Sequence, residues 1–498
     1  MTGTLKPLHD DQLKGLEMVK DALRKGFKRP ILQMPTGAGK TVLAAHVAAG
    51  ALEKHKRLTF VVPAISLVDQ TFERFVENGI DPALMGVIQA SHPWRRPDAP
   101  IQIATSQTLA QRDRPDTDFV VIDEAHNRFK SIETWMDEKP EMICIGLTAT
   151  PWSKGLGLRY DTLLKPTSTA KLIEQGRLSK FRVFAPSHPD LSKVRTLAGD
   201  YHEGDLADVM GDDELVADIV STWLTRGNNE PTLCFAVNRA HAKAIHDRFE
   251  EAGIAVEYID AYTPREEREE IGKRLEAREI QVVCNIGTLT TGIDWDVRCL
   301  ILARPTKSEM LFSQIIGRAL RVADGKEYAI ILDHSDTHLR LGMVTDIDHD
   351  NLNMGQPKTK DEKAREKKTP MPKECLNCSG LIPPGVENCL SCGEKAPRPT
   401  FTEGDGELEE FVSGGKRRRN KESVTDMVAN LGKAQVFAEL SEIQREKNRS
   451  DGWTSNTYRE IFGVWPRGVS KFSCTPSSLV RNYCKHKDIK FAKSRARN

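Results

Sequence analysis

Short runs of apolar, largely β-branched residues recur along the chain between stretches of helical spacing. Residues 30–33, 58–62, 101–104, 119–122 and 142–145 read as strands, and 13–24, 41–51 and 65–77 as helices. Runs that are apolar throughout, rather than alternating, belong to strands covered on both faces, as in a mostly parallel sheet flanked by helices. The alternation returns with strands at 232–237, 256–259, 281–285, 299–302 and 328–332 and helices at 239–252 and 264–277. The pattern therefore predicts an α/β protein with two parallel-sheet lobes, whose ligands gather at the carboxyl ends of strands. Beyond 345 it breaks. The chain turns charged and Pro-punctuated, and helical periodicity resumes only over 424–445.

The end of the first run carries the chemistry around which the rest is arranged. Met34, Pro35, Thr36, Gly37, Ala38, Gly39, Lys40 and Thr41 join an apolar strand to an Ala/Val-rich helix. Gly37 and Gly39 let the backbone curl so that successive N–H groups face an anion, and the helix start adds partial positive charge. Lys40 is placed to reach β- and γ-phosphates, and the Thr41 hydroxyl to ligate Mg²⁺. Met34 stands where the general pattern has its first glycine. A glycine-rich turn with a chance lysine is the bland alternative.

Two further strand ends fit such a loop. Asp123 and Glu124 directly follow the run 119–122, where Asp123 suits a hydrated Mg²⁺ and Glu124 suits orienting and deprotonating a water. Acidic pairs also open ordinary helices, but an apolar strand immediately before the pair argues against that. Thr148 and Thr150 follow the run 142–145 on a tight turn. Upstream, the Gln12 amide can both donate to and accept from an adenine edge. No second phosphate loop occurs in the second lobe, as suits a nucleotide held between lobes.

Composition narrows the alternatives. With 498 residues, 29% of them charged, the net charge is only +1, so affinity for nucleic acid must come from local patches. No apolar run approaches the roughly 20 residues that span a bilayer, and the N-terminal residues lack a signal core, so a soluble, cytoplasmic protein with no membrane partner is expected. Of ten cysteines, Cys144, Cys234, Cys284 and Cys299 lie in strand-like runs and read as buried thiols. Cys375, Cys378, Cys389 and Cys392 form two CxxC turns ten residues apart. That spacing predicts a structural Zn²⁺ site of four thiolates, with a redox pair as the alternative. The intervening loop is too poor in apolar residues for a core, so the metal would supply most of the folding energy. Removing it is expected to unfold 371–396 while the lobes keep working.

The segment from 453 onward holds ten Lys/Arg against Glu460 and Asp488, interleaved with Trp453, Tyr458, Phe462, Trp465, Phe472, Tyr483 and Phe491. Such interleaving suits phosphate contacts and base stacking. A small helical domain with an aromatic core is an equal and compatible reading.

The strings MPTGAGKT, DEAH and LTATP, in this order and spacing, resemble motifs I, II and III of the superfamily-2 helicases. The surrounding text is most similar to the DEAD/DEAH-box helicases of bacteria, phages and prophages, over about residues 8–335. The resemblance implies two RecA-like lobes. It implies strand contacts through Pro63 and Thr105, and through Thr290 and Thr291 of a motif V that also brings Gly292 and Asp294 to the nucleotide. Gln314, Arg318 and Arg321 match motif VI. The two arginines are three apart and share a helix face, and the resemblance implies that they reach the γ-phosphate. Gln12 matches the family's adenine-reading glutamine loosely, with His9 and Asp11 where an arginine and an aromatic usually stand.

These readings divide the chain into lobe 1 (1–185), lobe 2 (200–345), a charged linker (346–372), a four-cysteine zinc ribbon (373–396), a flexible tether (397–425) and a basic, aromatic C-terminal segment (426–498). The implied function is an ATP-dependent helicase or translocase using ATP, Mg²⁺ and Zn²⁺, on DNA in preference to RNA, with replication or recombination proteins as partners of the tail. A duplex translocase or branch-remodelling motor, an RNA helicase, and a binding adaptor with a degenerate ATPase are the alternatives.

Overall fold

A computed structural model of the chain describes residues 5–356 except 90 and 291, residues 370–396, and residues 431–466 except 448 and 463. It also describes 474–477, 480, 481, 483, 484 and 487. Contacts group the chain into two units, Met1–Thr400 and Phe401–Asn498.

The first unit holds both predicted sheets. Lobe 1 is built on β1 (Pro30–Gln33), β2 (Leu58–Val62), β3 (Met85–Val87), β4 (Ile101–Thr105), β5 (Phe119–Asp123), β6 (Ile143–Thr148) and β7 (Thr162–Leu164). They pair in the order β3-β4-β2-β5-β6-β1-β7, and every pairing is parallel. Strands β1, β2 and β4 are buried along their whole length, as their uninterrupted apolar runs require. This order puts β1, β5 and β6 near one another, so the glycine turn, the acidic pair and the threonine turn meet at one end of the sheet.

After β8 (Lys180–Phe184) and a small antiparallel hairpin, β9 (Thr196–Leu197) with β10 (Asp200–Tyr201), lobe 2 continues. Its strands are β11 (Thr232–Phe235), β12 (Val256–Ile259), β13 (Val282–Asn285), β14 (Cys299–Leu302) and β15 (Tyr328–Asp333). The order is β12-β13-β11-β14-β15-β8, again parallel throughout.

The expected division at 185 is corrected here. β8 pairs along β15 from Lys180 opposite Tyr328 to Phe184 opposite Leu332, so it closes the second sheet. β8 lies at the edge of that sheet, where Lys180 is exposed and Arg182 half-buried while Val183 and Phe184 are buried. Arg182 lies over the ring of Tyr328, 4.1 Å from its centre.

The expected linker is also partly corrected. Residues 346–356 lie back on lobe 1 as a strap. Lys165 Nζ meets Asp348 at 3.1 Å and Asp350 at 2.9 Å, and Gly157 N–H donates to Asn353 O at 2.9 Å. Ile347 packs against the core shared by the two lobes, and Leu352 against the lobe 1 cluster around Trp135. Residues 357–369 and the tether 397–425 lie outside the described residues.

A two-stranded hairpin, β16 (Lys373–Glu374) with β17 (Leu381–Ile382), carries the CxxC turns. It docks on lobe 2: Ala185 N–H donates to Ser379 O at 2.9 Å, and Leu381 enters the main core.

In the second unit, the helices Lys433–Glu446 and Asp451–Phe462 enclose Val436, Leu440, Ile443, Tyr458 and Val480. Buried Glu439 accepts from Ser477 Oγ at 2.6 Å and N–H at 2.9 Å. Here Tyr458 is a core residue, and Trp453, Phe462 and Tyr483 pack beside it. Trp465 is half-exposed beneath Arg459, at 4.7 Å. Phe472 and Phe491 lie outside the described residues. Among the described residues no helix is long and apolar enough to cross a membrane.

Candidate active site

The glycine turn leaves β1 with Met34 still paired to the sheet, its N–H donating to Thr148 O at 2.9 Å. The Met34 side chain is fully buried, so this position fills core where the general pattern has glycine. Gly37 (φ +85°) and Gly39 (φ +81°) take the left-handed region, and Gly39 caps the helix Lys40–Glu53. A Cβ at Gly39 would lie 2.2 Å from Gln12 Nε2, so both the dihedral and the space require glycine there.

That contact corrects the expected role of Gln12. Its Nε2 donates to Ala38 O at 2.9 Å and its Oε1 accepts from His9 N–H at 3.0 Å. The amide is spent on the backbone and braces the loop from behind, without lining the cleft.

The cleft itself is about 440 Å³ and lies between the lobes. From lobe 1 it is lined by Thr36, Gly37, Gly39, Lys40 and Thr41 of the loop, and by Asp123 and Glu124 at the end of β5. Lys40 Nζ stands 4.0 Å from Glu124 Oε1 and 3.5 Å from Met34 O. Burial, and then the Glu124 charge, push the Asp123 carboxyl up. Burial pulls Glu124 up as well, but Lys40 and then His126 outweigh it and hold this carboxyl well below the usual range. Glu124 is therefore ionised at neutral pH. It also holds a left-handed backbone, φ +47°, which costs a residue with a Cβ about 1–3 kcal/mol. Its Oε2 is buried beside the His126 ring.

His126 is a residue that the sequence reading passed over, although it completes the DEAH string. Its Nδ1 lies 2.8 Å from Thr148 Oγ1 and 3.3 Å from Glu124 Oε2, and its Nε2 lies 3.2 Å from Gln314 Nε2 of lobe 2. Gln314, expected on the nucleotide, thus ties the second lobe to the acidic pair through this ring.

Lobe 2 lines the cleft with Gly292, Asp294, Arg318 and Arg321. The arginines rise from the helix Glu309–Ala319 and its C-terminal turn, and they face the cleft docked on their own lobe. Arg318, only 6% exposed, donates to Thr290 O at 2.6 and 2.9 Å and to Ile293 O at 3.0 Å. Arg321 donates to Ile293 O at 2.5 Å and pairs with Asp294 at 2.6 Å. Burial, and then Arg321, lower the Arg318 pKa. The same helix presses on the loop: a Cβ at Gly317 would lie 2.8 Å from Thr36 Cβ. Arg74, from the lobe 1 helix Ser66–Glu77, also lines the cleft and reaches Asp294 at 2.5 Å. No local sequence signal marks it.

The residues expected along a nucleic-acid strand divide. Pro63 is partly exposed at the end of β2, beside Ile65, which is 54% exposed. Thr105 is buried, and its hydroxyl accepts from Thr108 N–H at 3.1 Å as a helix cap. This is a correction: its side chain is unavailable to a strand. Thr290 Oγ1 donates to Gly287 O at 2.7 Å, and Thr291 lies outside the described residues.

The donor sets fit the groups they were read for. Paired positive-φ glycines, a helix start and a carboxylate pair beside a lysine suit a phosphate chain with a divalent cation. In the hairpin, the four thiol sulfurs lie within 4.8 Å of one another, with Cys375–Cys392 and Cys378–Cys389 both at 3.6 Å. Tetrahedral Zn–S bonds of about 2.3 Å put sulfurs about 3.8 Å apart, far from a disulfide bond. A Cβ at Gly380 would crowd Cys378 Sγ at 3.2 Å and Cys389 Sγ at 3.3 Å.

Comparison with known proteins places this cleft in a family. A model described as the res subunit of type III restriction enzymes matches residues 5–153, and the helicase conserved C-terminal domain matches 214–323. The chain is 28% identical over 371 residues to the 51.5 kDa protein of Lactococcus phage (isolate 7-9), covering 73% of this chain and 77% of the phage protein. It is 25% identical over 342 residues to the ATP-dependent DNA helicase uvsW of Enterobacteria phage T4, covering 64% and 68%. Other curated relatives run much longer than the match, which spans as little as 35% of one. A solved fragment from Vibrio vulnificus, assigned to the HsdR subunit of a type I restriction enzyme, shares the fold. Its TM-score is 0.53 at 20% identity, over 70% of this chain and 68% of the fragment. The two matched models fall one on each lobe, in the arrangement of the superfamily-2 helicases, to which this chain belongs.

Proposed function

We propose that the chain is a DNA-stimulated ATPase that couples hydrolysis in the interlobe cleft to movement along DNA or to strand separation. The observation that carries this is the meeting, in one cleft, of a phosphate loop and acidic pair from lobe 1 with an arginine pair from lobe 2. Backbone N–H groups of 37–41 and Lys40 would bind the β- and γ-phosphates, and Thr41 and Asp123 would hold Mg²⁺. Glu124, kept ionised by Lys40, would take the proton of the attacking water. Arg318 and Arg321 would exchange backbone carbonyls for γ-phosphate oxygens as the lobes close. Pro63, just after β2, and Thr290, in the helical turn that follows β13, are the contacts we assign to the nucleic-acid backbone. The four cysteines would hold a structural Zn²⁺.

The phage relative uvsW, an ATP-dependent DNA helicase, favours DNA over RNA. The restriction-enzyme family match favours a second reading, a motor on duplex DNA that leaves its strands paired. ATP hydrolysis measured alone and with single-stranded, duplex and forked DNA and with RNA tests the proposal, with Glu124→Gln as control. Stimulation by a DNA form that the mutant lacks supports it; hydrolysis indifferent to every nucleic acid refutes it. Displacement on forked but not blunt duplexes separates the two motors.

A further inference from the structure

Arg318 lies in the last turn of the helix Glu309–Ala319, but Arg321 stands beyond its end. The last carbonyls of a helix find no partner within it, so whatever holds this turn fixes where the arginine pair can reach. Ser179 N–H donates to Leu320 O at 2.7 Å. The carbonyls on either side, Ala319 O and Arg321 O, accept from Lys326 Nζ at 2.6 and 2.7 Å. The same ammonium donates to Val297 O at 2.7 Å. Val297 ends the stretch that begins at Ile293, and both arginines dock on that stretch through Ile293 O, with Asp294 pairing Arg321.

One cation thus ties the turn that carries the arginines to the segment on which they dock. An ammonium has three donors and no acceptor, so three backbone oxygens saturate it, and its charge suits the negative end of a helix. Lys326 sits on the loop before β15, where Gly325 takes φ +70°, and it is not among the residues that line the cleft. We propose that Lys326 is a positioning residue for ATP hydrolysis, holding Arg318 and Arg321 where they meet the γ-phosphate without touching the nucleotide itself. This rests on the hydrolysis reading above. Burial pushes the Lys326 pKa down to about 8; Asp296 and Glu230 oppose this, and Arg298 and Arg321 add to it. Once the proton is lost, the amine has too few donors for its three carbonyls.

The test is kcat and KM for ATP from about pH 6 to about pH 10, for the full chain with the nucleic acid that stimulates it most. Wild-type kcat should fall above about pH 8 with KM steady. Lys326→Arg, charged throughout this range, should keep kcat within about threefold and lose that fall. Lys326→Met should lower kcat at neutral pH by about tenfold or more while affinity for ADP holds within about threefold. An alkaline fall that persists unchanged in Lys326→Arg, or Lys326→Met turning over within about twofold of wild type, would overturn the proposal. If Lys326→Met fails to fold, the profiles of wild type and Lys326→Arg decide by themselves. No hydrolysis by the wild-type chain with any nucleic acid would instead overturn the hydrolysis reading.

Discussion

In lobe 2, strand β15 ends at Asp333, which is fully buried and fully engaged. His338 gives it both its ring Nδ1 and its N–H at 2.8 Å, and Ser335 its N–H at 2.9 Å and its hydroxyl at 2.5 Å. In lobe 1, strand β5 ends at Asp123 and Glu124, where the Glu124 backbone is left-handed and its carboxylate meets only Lys40 at 4.0 Å and the His126 ring at 3.3 Å. Both carboxylates close parallel strands of similar sheets. Burial pushes each carboxyl up, and in Asp333 the hydrogen bonds and charge of His338 outweigh it and hold the group at about 2; in Asp123 they do not. A saturated strand end stabilises the fold, and an unsaturated one keeps its capacity for a cation and a reacting water.

The largest effect that would break this comparison concerns the arginines, the cationic side chains that lobe 2 lends to the cleft. Arg318→Ala should lower kcat for ATP by about 10³–10⁵, and Arg318→Lys should recover little, because a point charge lacks the forked donors. Near-normal turnover in either variant would leave the arginines as props for Thr290 and Ile293. Next, Glu124→Gln should cut kcat by about 10²–10⁴ while nucleotide affinity holds within severalfold; affinity lost in parallel with kcat would deny it the role of base.

The hairpin supplies a third contrast. The cysteine spacing by itself suggests a module whose loss spares the lobes, but Leu381 sits in the shared core and Ser379 extends the edge of β8. His188, raised by Asp336 and Glu374 against the effect of burial, adds a 3.0 Å contact to Glu374. Cys378→Ser, or chelation, should therefore remove at least the burial of Leu381, about 2 kcal/mol, and lower the unfolding midpoint of the first unit by several degrees. A midpoint unchanged in calorimetry would restore the independent module.

The smallest effect belongs to Asp333. Asp333→Asn should cost about 1–3 kcal/mol of stability and leave kcat alone, the reverse of Glu124→Gln. Since its pKa is depressed in the folded state, its contribution of about 2 kcal/mol is present above pH 4 and fades as pH falls through about 2. Acid unfolding of the Asn variant should lose that dependence; identical acid titrations would show that the cluster does not set it.

The sequence alone determined the ten core strand runs, the phosphate turn, the carboxylate pair and the two thiol turns. Each depends on neighbours only a few residues away: β-branched runs, glycines where φ must be positive, cysteines spaced for one turn. What it could not allot was the partner of each polar group. Gln12 is equally able to meet a base or a backbone carbonyl, and only the approach of Gly39 decides for the carbonyl. Thr105 caps a helix, Gln314 meets His126, and β8 crosses to the other sheet because of what lies opposite each of them. A hydrogen bond goes to whichever group the fold brings within about 3 Å, and that distance is set by tertiary structure.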